Sequence, residues 1–440
     1  MRPALRPLRI QAFPRLALAN LVNELGNWLG EIALAILVFD QTGSPAATAA
    51  LFVAIHFVPA LIGPPLVARV EHLPARWALS GLYAAEALVF AALAALATDF
   101  LLVAVLAFAA VDGTLASAAR ALTRAAAAGA LKPAGMLREG NALLNIGFTA
   151  GAAAGPALAG LVVAGASVQA ALVADAISFL AVAGLLATAR GLPRAEPEAE
   201  GVLARLRNGL RYVRESPLLS RLFVAQGLAF VFFALVIPIE VVFAKETLDA
   251  GDAGYGALLT AWGVGMVGGS LAFAALARVT LPLLLAVSTL AIGVAYLGIG
   301  AAPTLAAACV ASALGGAGNG VQWVALITAV QAATAIPYQA RVVAMLEAVA
   351  SAMPGLGFVL GGAVAILLDP RAAFVVAGAG VIAVLLAGAA SLRHADWGGP
   401  TPFDARPDGG PPPAAVAADA HSPGAQPAQT QAEPPESAQI

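Results

Sequence analysis

LALANLVNELGNWLGEIALAILVF, residues 16–39, is the stretch that decides the fold of this chain. It is a nearly unbroken apolar run, and an α-helix needs about 20 such residues to cross the hydrocarbon core of a membrane. Two carboxylates, Glu24 and Glu31, interrupt the run. An ionisable group in that core costs about 2.5 to 3.5 kcal/mol on insertion scales, so such groups usually face a wet interior and mark an ion or substrate path. The stretch therefore predicts a membrane-spanning helix that lines a functional cavity.

Similar apolar runs recur along nearly the whole chain. Hydrophobic residues make up 60% of the sequence and charged residues 11%, whereas soluble domains carry about 25% charged residues. The expected fold class is therefore an all-α polytopic membrane protein. Runs of spanning length predict twelve transmembrane helices, called spans one to twelve here, at 16–39, 46–68, 77–97, 100–122, 140–164, 168–189, 219–243, 255–277, 281–300, 304–331, 342–367 and 371–392.

Basic residues are distributed unevenly between the loops. With the N-terminus in the cytoplasm, twelve spans place 21 of the 23 lysines and arginines on the cytoplasmic side, and only Lys245 and Arg371 on the other. Positive charge gathers on the cytoplasmic side of membrane proteins, so both termini are predicted to be cytoplasmic. Arginine far exceeds lysine and alanine dominates, which favours a G+C-rich bacterial genome and hence the bacterial inner membrane.

A polar stretch divides the chain into two halves of six spans each. Leucines and valines alternate with arginines over 203–214, a pattern typical of an amphipathic helix on a membrane surface.

The two halves have similar sequences at corresponding positions, since Ala68-Arg69-Val70 closes span two and Ala277-Arg278-Val279 closes span eight. Two related bundles are common in secondary transporters, which hold substrate near the midplane between them. The predicted parts are an N-terminal six-helix bundle (1–189), a cytoplasmic linker (190–217), a C-terminal six-helix bundle (218–392) and a disordered cytoplasmic tail (393–440).

Span one carries a polar stripe, Asn20, Glu24, Asn27 and Glu31, with the spacing of one helix face. Facing lipid, this stripe would be very unfavourable, so it is predicted to line a central cavity. Two roles remain open for its carboxylates. They form a substrate or proton site, or they belong to a structural network that joins span one to its neighbours.

Other carboxylates lie within predicted spans. Asp112 in span four and Glu240, which follows Pro238 in span seven, are candidates for proton uptake in a desolvated site. For Glu240 the alternative is an ion pair with Lys245 near the outer mouth. Asp175 in span six favours a structural role as a hydrogen-bond acceptor, and Glu86 lies within span three.

Several function classes find no support in the sequence. It contains no phosphate-binding loop, no His/Cys metal cluster and no nucleophile with a plausible base. No enzymatic activity, cofactor, metal or ATP-driven step is expected, and energy is expected to come from an ion gradient. The net charge of −2 gives no nucleic-acid footprint.

Glycines recur at helical spacing in several spans. In span five Gly147, Gly151 and Gly155 share one face, and Pro156 and Gly160 follow. Small residues allow helices to approach closely in membranes, where hydrophobicity does not favour protein over lipid. Tight packing and sliding along a smooth face during transport are the two interpretations.

The chain resembles the major facilitator superfamily, over residues 10–393. The strongest similarity is Gly151-Ala152-Ala153-Ala154-Gly155-Pro156-Ala157-Leu158-Ala159-Gly160, which is similar to the antiporter motif of exporters, with Ala159 in place of one glycine. Thr42-Gly43-Ser44-Pro45, Asp175-Ala176-Ile177-Ser178-Phe179 and Tyr255-Gly256 also match. These matches are of the type found in the twelve-helix drug and siderophore exporter branch, which includes macrolide-efflux and enterobactin-exporter proteins.

Two departures from the family pattern concern gating and coupling. The loop after span two normally holds a Gly-x-x-x-Asp-Arg type gating motif, but here Gly63 leads to Arg69 and Arg76 without the aspartate, and Glu71 is its only candidate substitute. Asn27 stands where the branch often has an aspartate.

The resemblance implies a secondary exporter that moves a small amphiphilic compound by alternating access in exchange for protons. The partners expected are this substrate, protons and the lipid bilayer, and the oligomeric state is not predicted. A lysolipid transporter of the same fold is one alternative. A membrane scaffold or sensor without transport is another, favoured by the missing gating aspartate and the long tail.

Overall fold

The computed structural model describes residues 3–70, 73–189, 191–192, 202–276, 279–334 and 338–392. Regular secondary structure within these ranges is helical throughout, which confirms the all-α prediction. Three predictions fall outside the described residues: the disordered tail, the acidic part of the linker, and the contribution of Arg278 to the similarity between the halves.

The structure contains fifteen α-helices in the described ranges. Two π-helical turns, Val53–Phe57 and Phe243–Thr247, follow α2 and α10, and 3₁₀ turns occur at Pro3–Arg9 and Lys132–Ala134. The α-helices are α1 (Phe13–Thr42), α2 (Pro45–Phe52), α3 (Val58–Val70), α4 (Ala75–Leu96), α5 (Leu102–Leu131), α6 (Leu137–Gly165), α7 (Val168–Ala187), α8 (Val202–Glu215), α9 (Pro217–Leu235), α10 (Ile237–Val242), α11 (Gly251–Ala275), α12 (Leu281–Ala301), α13 (Leu305–Ala332), α14 (Gln339–Leu367) and α15 (Pro370–Leu392).

Eleven helical segments of the described chain are long and apolar enough to cross a membrane. They correspond to all the predicted spans except span two, which is built from α2, a π-helical turn and α3 instead of one straight helix. Pro59 explains this break, because a proline has no N–H to donate to the Ile55 carbonyl four residues earlier. Span seven is likewise divided into α9 and α10, and Pro238 is the second residue of α10.

The turn Thr42-Gly43-Ser44-Pro45 joins spans one and two. Gly43 ends α1 in the left-handed region at φ +57°, and its N–H donates to the Phe39 carbonyl at 2.8 Å. Ser44 then begins α2, where its hydroxyl accepts the Ala47 N–H at 3.3 Å. Pro45 follows at the first helical position, where its missing N–H costs nothing. This motif therefore makes the tightest reversal that satisfies both helix ends.

The helices of each half pack mainly on one another. In the N-terminal half α1 packs on α6 and α7, and α4 packs on α5 and α7. In the C-terminal half α13 packs on α11 and α12, and α9 packs on α14 and α15. Between the halves, α8 lies where the sequence predicts an amphipathic helix, and its buried Tyr212 stacks on Tyr338 with ring centroids 4.7 Å apart.

Glycines bring α11 and α13 into backbone contact. A Cβ atom at Gly269 would collide with the Ala317 carbonyl oxygen, and one at Gly265 with the Ala313 carbonyl oxygen. From the other side, Gly316 and Gly320 face the carbonyls of Trp262 and Met266 in the same way. Because backbone atoms cannot move aside as a flexible side chain can, these positions require glycine.

We expect Gly269→Ala to lower the free energy of unfolding by about 1 to 3 kcal/mol, the usual cost of overpacking. Thermal unfolding in detergent, followed by tryptophan fluorescence, measures the effect. The matched control is Gly268→Ala in the same helix turn, where an added Cβ meets no atom within 4 Å. The control should be neutral or slightly stabilising, since alanine favours helix by about 1 kcal/mol over glycine. Equal stability of the two variants would contradict the packing role.

Candidate functional site

The end of the bundle where α8 lies is called the linker face here, and the opposite end the distal face. At the distal face Lys245, in the π-helical turn of span seven, bridges the two halves. Its ammonium donates to the carboxylate of Asp40 at the end of α1. It also donates to Asp252 at the start of α11, at 2.6 Å. This arrangement, the distal ion bridge, ties spans one, seven and eight together.

Close backbone contacts between the halves also lie in the distal half of the protein. Gly160 of α6 meets Gly256 of α11, where an added Cβ would lie 2.9 to 3.0 Å from the opposite Cα. Two turns further on, Gly263 faces the Ala152 carbonyl. In the second interface between the halves, a Cβ at Gly362 of α14 would lie 2.8 Å from Ala49 Cβ of α2. The distal side is thus where the two halves fit together.

The antiporter-like run of α6 presents two different faces. Gly151 and Gly155 lie against span one, where added Cβ atoms would meet Glu24 and Trp28. Pro156 and Gly160 lie against α11 instead. The run therefore holds α6 between span one of its own half and span eight of the other.

The polar stripe of span one is divided among several environments. Asn20 donates through Nδ2 to the Leu144 carbonyl of α6 at 3.1 Å, which is a structural bond. Glu24 is buried beside Gly151, and Asn27 is half-buried. Glu31, whose side chain is 25% exposed, pairs with His56 at 3.4 Å between Oε1 and Nε2. The four side chains share a helix face, but only Glu31 has a partly exposed ion-pair partner.

His56 lies in the π-helical turn of span two and touches both halves. Its ring stacks near Phe52 and lies 5.6 Å from the ring of Phe358 in α14, between centroids. His56 was not expected as a functional residue, because nothing in its local sequence links it to Glu31. The link is made by the fold of span two against span one.

Three carboxylates are buried inside the N-terminal half: Glu86 of α4, Asp112 of α5 and Asp175 of α7. They are called the buried acid cluster here. Asp112 and Asp175 both lie within electrostatic range of Glu86. Both Glu86 carboxyl oxygens, Asp112 Oδ1 and Asp175 Oδ2 are shielded from solvent and have no hydrogen-bond partner among the described residues.

Two glycines of span one make room for Asp175. Added Cβ atoms at Gly26 and Gly30 would collide with its two carboxyl oxygens. Ser178, one turn along α7, donates to Asp175 Oδ1 at 3.0 Å. The predicted role as a hydrogen-bond acceptor is thus met by one oxygen only, and the other faces span one without a described partner.

Asp112 links the cluster to the more exposed groups. Glu31, His56 and Arg120 all lie within electrostatic range of Asp112. Beside it, Gly113 lets α5 approach span two, because an added Cβ would collide with the Ile55 carbonyl. Pro59 is the residue that would otherwise supply the α-helical N–H donor to that carbonyl. The broken helix thus brings His56 and Asp112 into the same region.

Glu240 lies buried in α10, and the predicted alternative of an ion pair with Lys245 is wrong. Lys245 pairs with Asp40 and Asp252 instead. Glu240 lies within electrostatic range of the buried rings Tyr255 and Tyr296. Asp40 and Asp252 were not expected as functional residues, because each lies at a helix end where an isolated surface charge is ordinary.

The residues assigned to the gating loop lie apart from these carboxylates. Gly63 packs against α5, where an added Cβ would lie 2.6 Å from Ser117 Oγ. Arg69 is exposed, and the Arg76 guanidinium lies 4.5 Å above the ring of Trp77. Glu71 lies outside the described residues. Among the residues that are described, no group of three His, Cys, Asp or Glu side chains is arranged to hold a metal ion.

The chain matches one known protein family over most of its length. The profile of the family described as transmembrane secretion effector matches residues 2–398. No match was found among curated proteins.

Solved transporter structures share the fold at low sequence identity. A mutant of the nucleoside transporter NupG has a TM-score of 0.72 at 13% identity, covering 86% of this chain and 99% of its own. A bacterial homolog of the human lysosomal transporter Spinster, inward-facing and unoccupied, has a TM-score of 0.62 at 14% identity, with coverage of 88% and 95%. A POT family transporter in complex with a thioalcohol-conjugated peptide has a TM-score of 0.66 at 11% identity, with coverage of 85% and 94%. With the matched profile and the apolar helices, these likenesses show that the chain is a multi-pass membrane protein of the transmembrane secretion effector family, within the major facilitator superfamily.

Proposed function

We propose that this protein is a secondary exporter of the bacterial inner membrane, with both termini and the linker face in the cytoplasm. It moves a small amphiphilic compound of the drug, antibiotic or siderophore type outward in exchange for protons. The family and the fold support transport of a small molecule. The direction, the coupling ion and the substrate class are the proposal.

The observation that supports proton coupling is a series of titratable side chains in the N-terminal half, each within electrostatic range of the next. It begins at Glu31 and His56, which are 25% and 37% exposed in their side chains. It continues through Asp112 to the buried Glu86 and Asp175. A carboxylate buried with few hydrogen-bond donors is unfavourable even with a cation such as Arg120 within electrostatic range, and a bound proton removes that cost. The buried acid cluster is therefore the site proposed to hold the coupling proton.

The positions of the other candidate residues fit a substrate path between the halves. Glu24 and Asn27 follow the same helix face as Glu31, and Glu240 is the buried carboxylate of the opposite half. His56 touches Phe358 across the boundary, so a movement of this histidine would change a contact between the halves. Competition between a proton and a cationic or polar substrate for these carboxylates would couple their movements.

Transport in liposomes tests the proposed function. Purified protein is reconstituted with an internal pH-sensitive dye, the liposomes are loaded in turn with labelled macrolide, catecholate siderophore or lysophospholipid, and an acid-outside gradient is imposed. We expect flux of a macrolide or siderophore together with proton movement in the opposite direction. Flux of lysophospholipid alone would favour the lipid-transporter alternative. No flux of any of the three would favour a scaffold or sensor.

We expect Asp112→Asn to abolish substrate flux driven by the proton gradient, down to the rate of protein-free liposomes. Exchange of labelled for unlabelled substrate without a gradient should continue, because asparagine keeps the shape of aspartate but cannot bind or release a proton. The matched control is Asp99→Asn, at an exposed position between spans three and four, which should behave as the wild type. Gradient-driven flux that survives in Asp112→Asn would refute coupling through the cluster.

We expect Lys245→Gln to favour opening of the distal face, because the distal ion bridge loses its positive charge. Spin labels on Gln41→Cys and Ala306→Cys, both at exposed distal positions, report the separation of the halves after Cys309→Ala removes the native thiol. Pulsed electron paramagnetic resonance should show a larger population at long distances. Lys245→Arg, which retains the charge, should keep the short-distance population. Identical distance distributions in Lys245→Gln and wild type would exclude a gating role for the bridge.

A further inference from the structure

The C-terminal half contains a cavity that lies away from the boundary between the halves. Its volume is about 340 Å³, within the range of about 300 to 1,000 Å³ that is typical of small-molecule sites. The first turns of α9 and α12 and the last turns of α13 and α15 enclose it, so it lies in the half of the membrane nearer the linker face. None of the residues assigned to transport above lines it.

Three buried polar side chains from different helices converge on this cavity: Gln226 of α9, Thr289 of α12 and Gln322 of α13. Gln322 donates through Nε2 to Thr289 Oγ1 at 2.7 Å, and the Thr289 hydroxyl donates to the Leu285 carbonyl at 2.7 Å. The Gln226 carboxamide, on a residue that is buried, lines the same cavity. A buried amide without a partner is unfavourable unless water or a ligand satisfies it.

The rest of the wall is apolar and carries no charge. Leucine, alanine, valine, proline and glycine supply every lining residue except the three polar ones, and no Asp, Glu, Lys, Arg or His is among them. Arg221, which precedes the lining residue Leu222, is exposed and donates to the Ser391 carbonyl at 2.8 Å. An ion placed in such a cavity would lose its hydration without gaining a counter-ion, so the wall favours an uncharged ligand.

Access to the cavity comes from the membrane side. Leu283 on its rim is 53% exposed, and in α15 Gly388 is half-buried and Ala389 is exposed beside it. A narrower second cavity shares Gln226, Ala229 and Gln322 and continues to Phe230, Phe233 and Asn319. The two glutamines therefore lie between a mouth that faces lipid and the interior of the C-terminal half.

We propose that this cavity is a binding site for an uncharged, largely apolar small molecule that enters from the lipid of the linker-face leaflet. A carbonyl or hydroxyl oxygen of the ligand bonds to the carboxamides of Gln226 and Gln322, and its apolar body fills the leucine and alanine wall. The site is separate from the carboxylates of the proposed transport path. Its occupancy does not depend on whether the protein exports anything.

Photolabelling of the full chain in lipid nanodiscs tests this site. The probe is octanol with a diazirine on its chain, and the matched charged probes are octanoate and octylammonium with the same diazirine. After irradiation, labelled peptides are identified by mass spectrometry. We expect saturable labelling by the alcohol on the cavity-lining parts of α9, α12, α13 and α15, and much weaker labelling there by both charged probes.

Two substitutions and one matched control define the result. Ala229→Phe should abolish saturable labelling, because the ring fills the cavity. Gln226→Leu keeps the volume but removes the amide, and should weaken probe binding by about threefold to tenfold, the effect of one lost neutral hydrogen bond. Leu228→Phe, on the neighbouring exposed position of α9, should leave labelling unchanged.

The proposal is overturned by unchanged alcohol labelling in Ala229→Phe and Gln226→Leu. Equal labelling of the cavity by the charged probes, or saturable labelling confined to other helices, would also overturn it. Because binding is measured without a gradient or a transported substrate, these outcomes are independent of the transport assays.

Discussion

The cost of placing a carboxylate in a medium of low polarity is the constraint on which the rest of this structure depends. Glu86, Asp112 and Asp175 are held inside the N-terminal half, and most of their oxygens have no described hydrogen-bond partner. Such groups are rare in membrane-spanning segments, because the fold must hold them there against the cost of desolvation. Gly26 and Gly30 of span one are small because Asp175 lies against them, so the buried charge also dictates local packing.

Backbone contact is the second organising principle. In lipid the hydrophobic effect does not drive helices together, so close van der Waals contact between small residues must do so. The contacts of α11 with α13 and with α6 are made in this way, through glycines that face carbonyl oxygens. The same surfaces join the two halves on the distal side, where Lys245 adds the ion bridge to Asp40 and Asp252. The helix contacts within a half and those between the halves thus both depend on glycines that face backbone atoms.

Broken helices connect the packing to the site. Pro59 cannot supply the α-helical N–H to the Ile55 carbonyl, Gly113 lets α5 approach at that point, and His56 in the same π-helical turn pairs with Glu31. Prolines and irregular turns are tolerated in membranes where neighbouring protein satisfies the freed backbone groups. The irregular part of span two therefore coincides with the polar part of the N-terminal half. Its sequence signature, closely spaced prolines in an apolar run, predicts irregularity but not the partner of the histidine.

The sequence by itself determined that the chain is helical, that it crosses the membrane repeatedly, and that one face of span one is polar. These properties follow from run lengths and a 3.6-residue period, which are local. The sequence also places Asp112 and Asp175 within spans, but it does not place them next to Glu86. Only the tertiary structure decided that Glu31 meets His56, that Lys245 binds Asp40 and Asp252 rather than Glu240, and that three glutamine and threonine side chains share a cavity. Each of these pairings joins different helices, and which helix faces touch depends on small residues distributed over the whole bundle rather than on any local pattern.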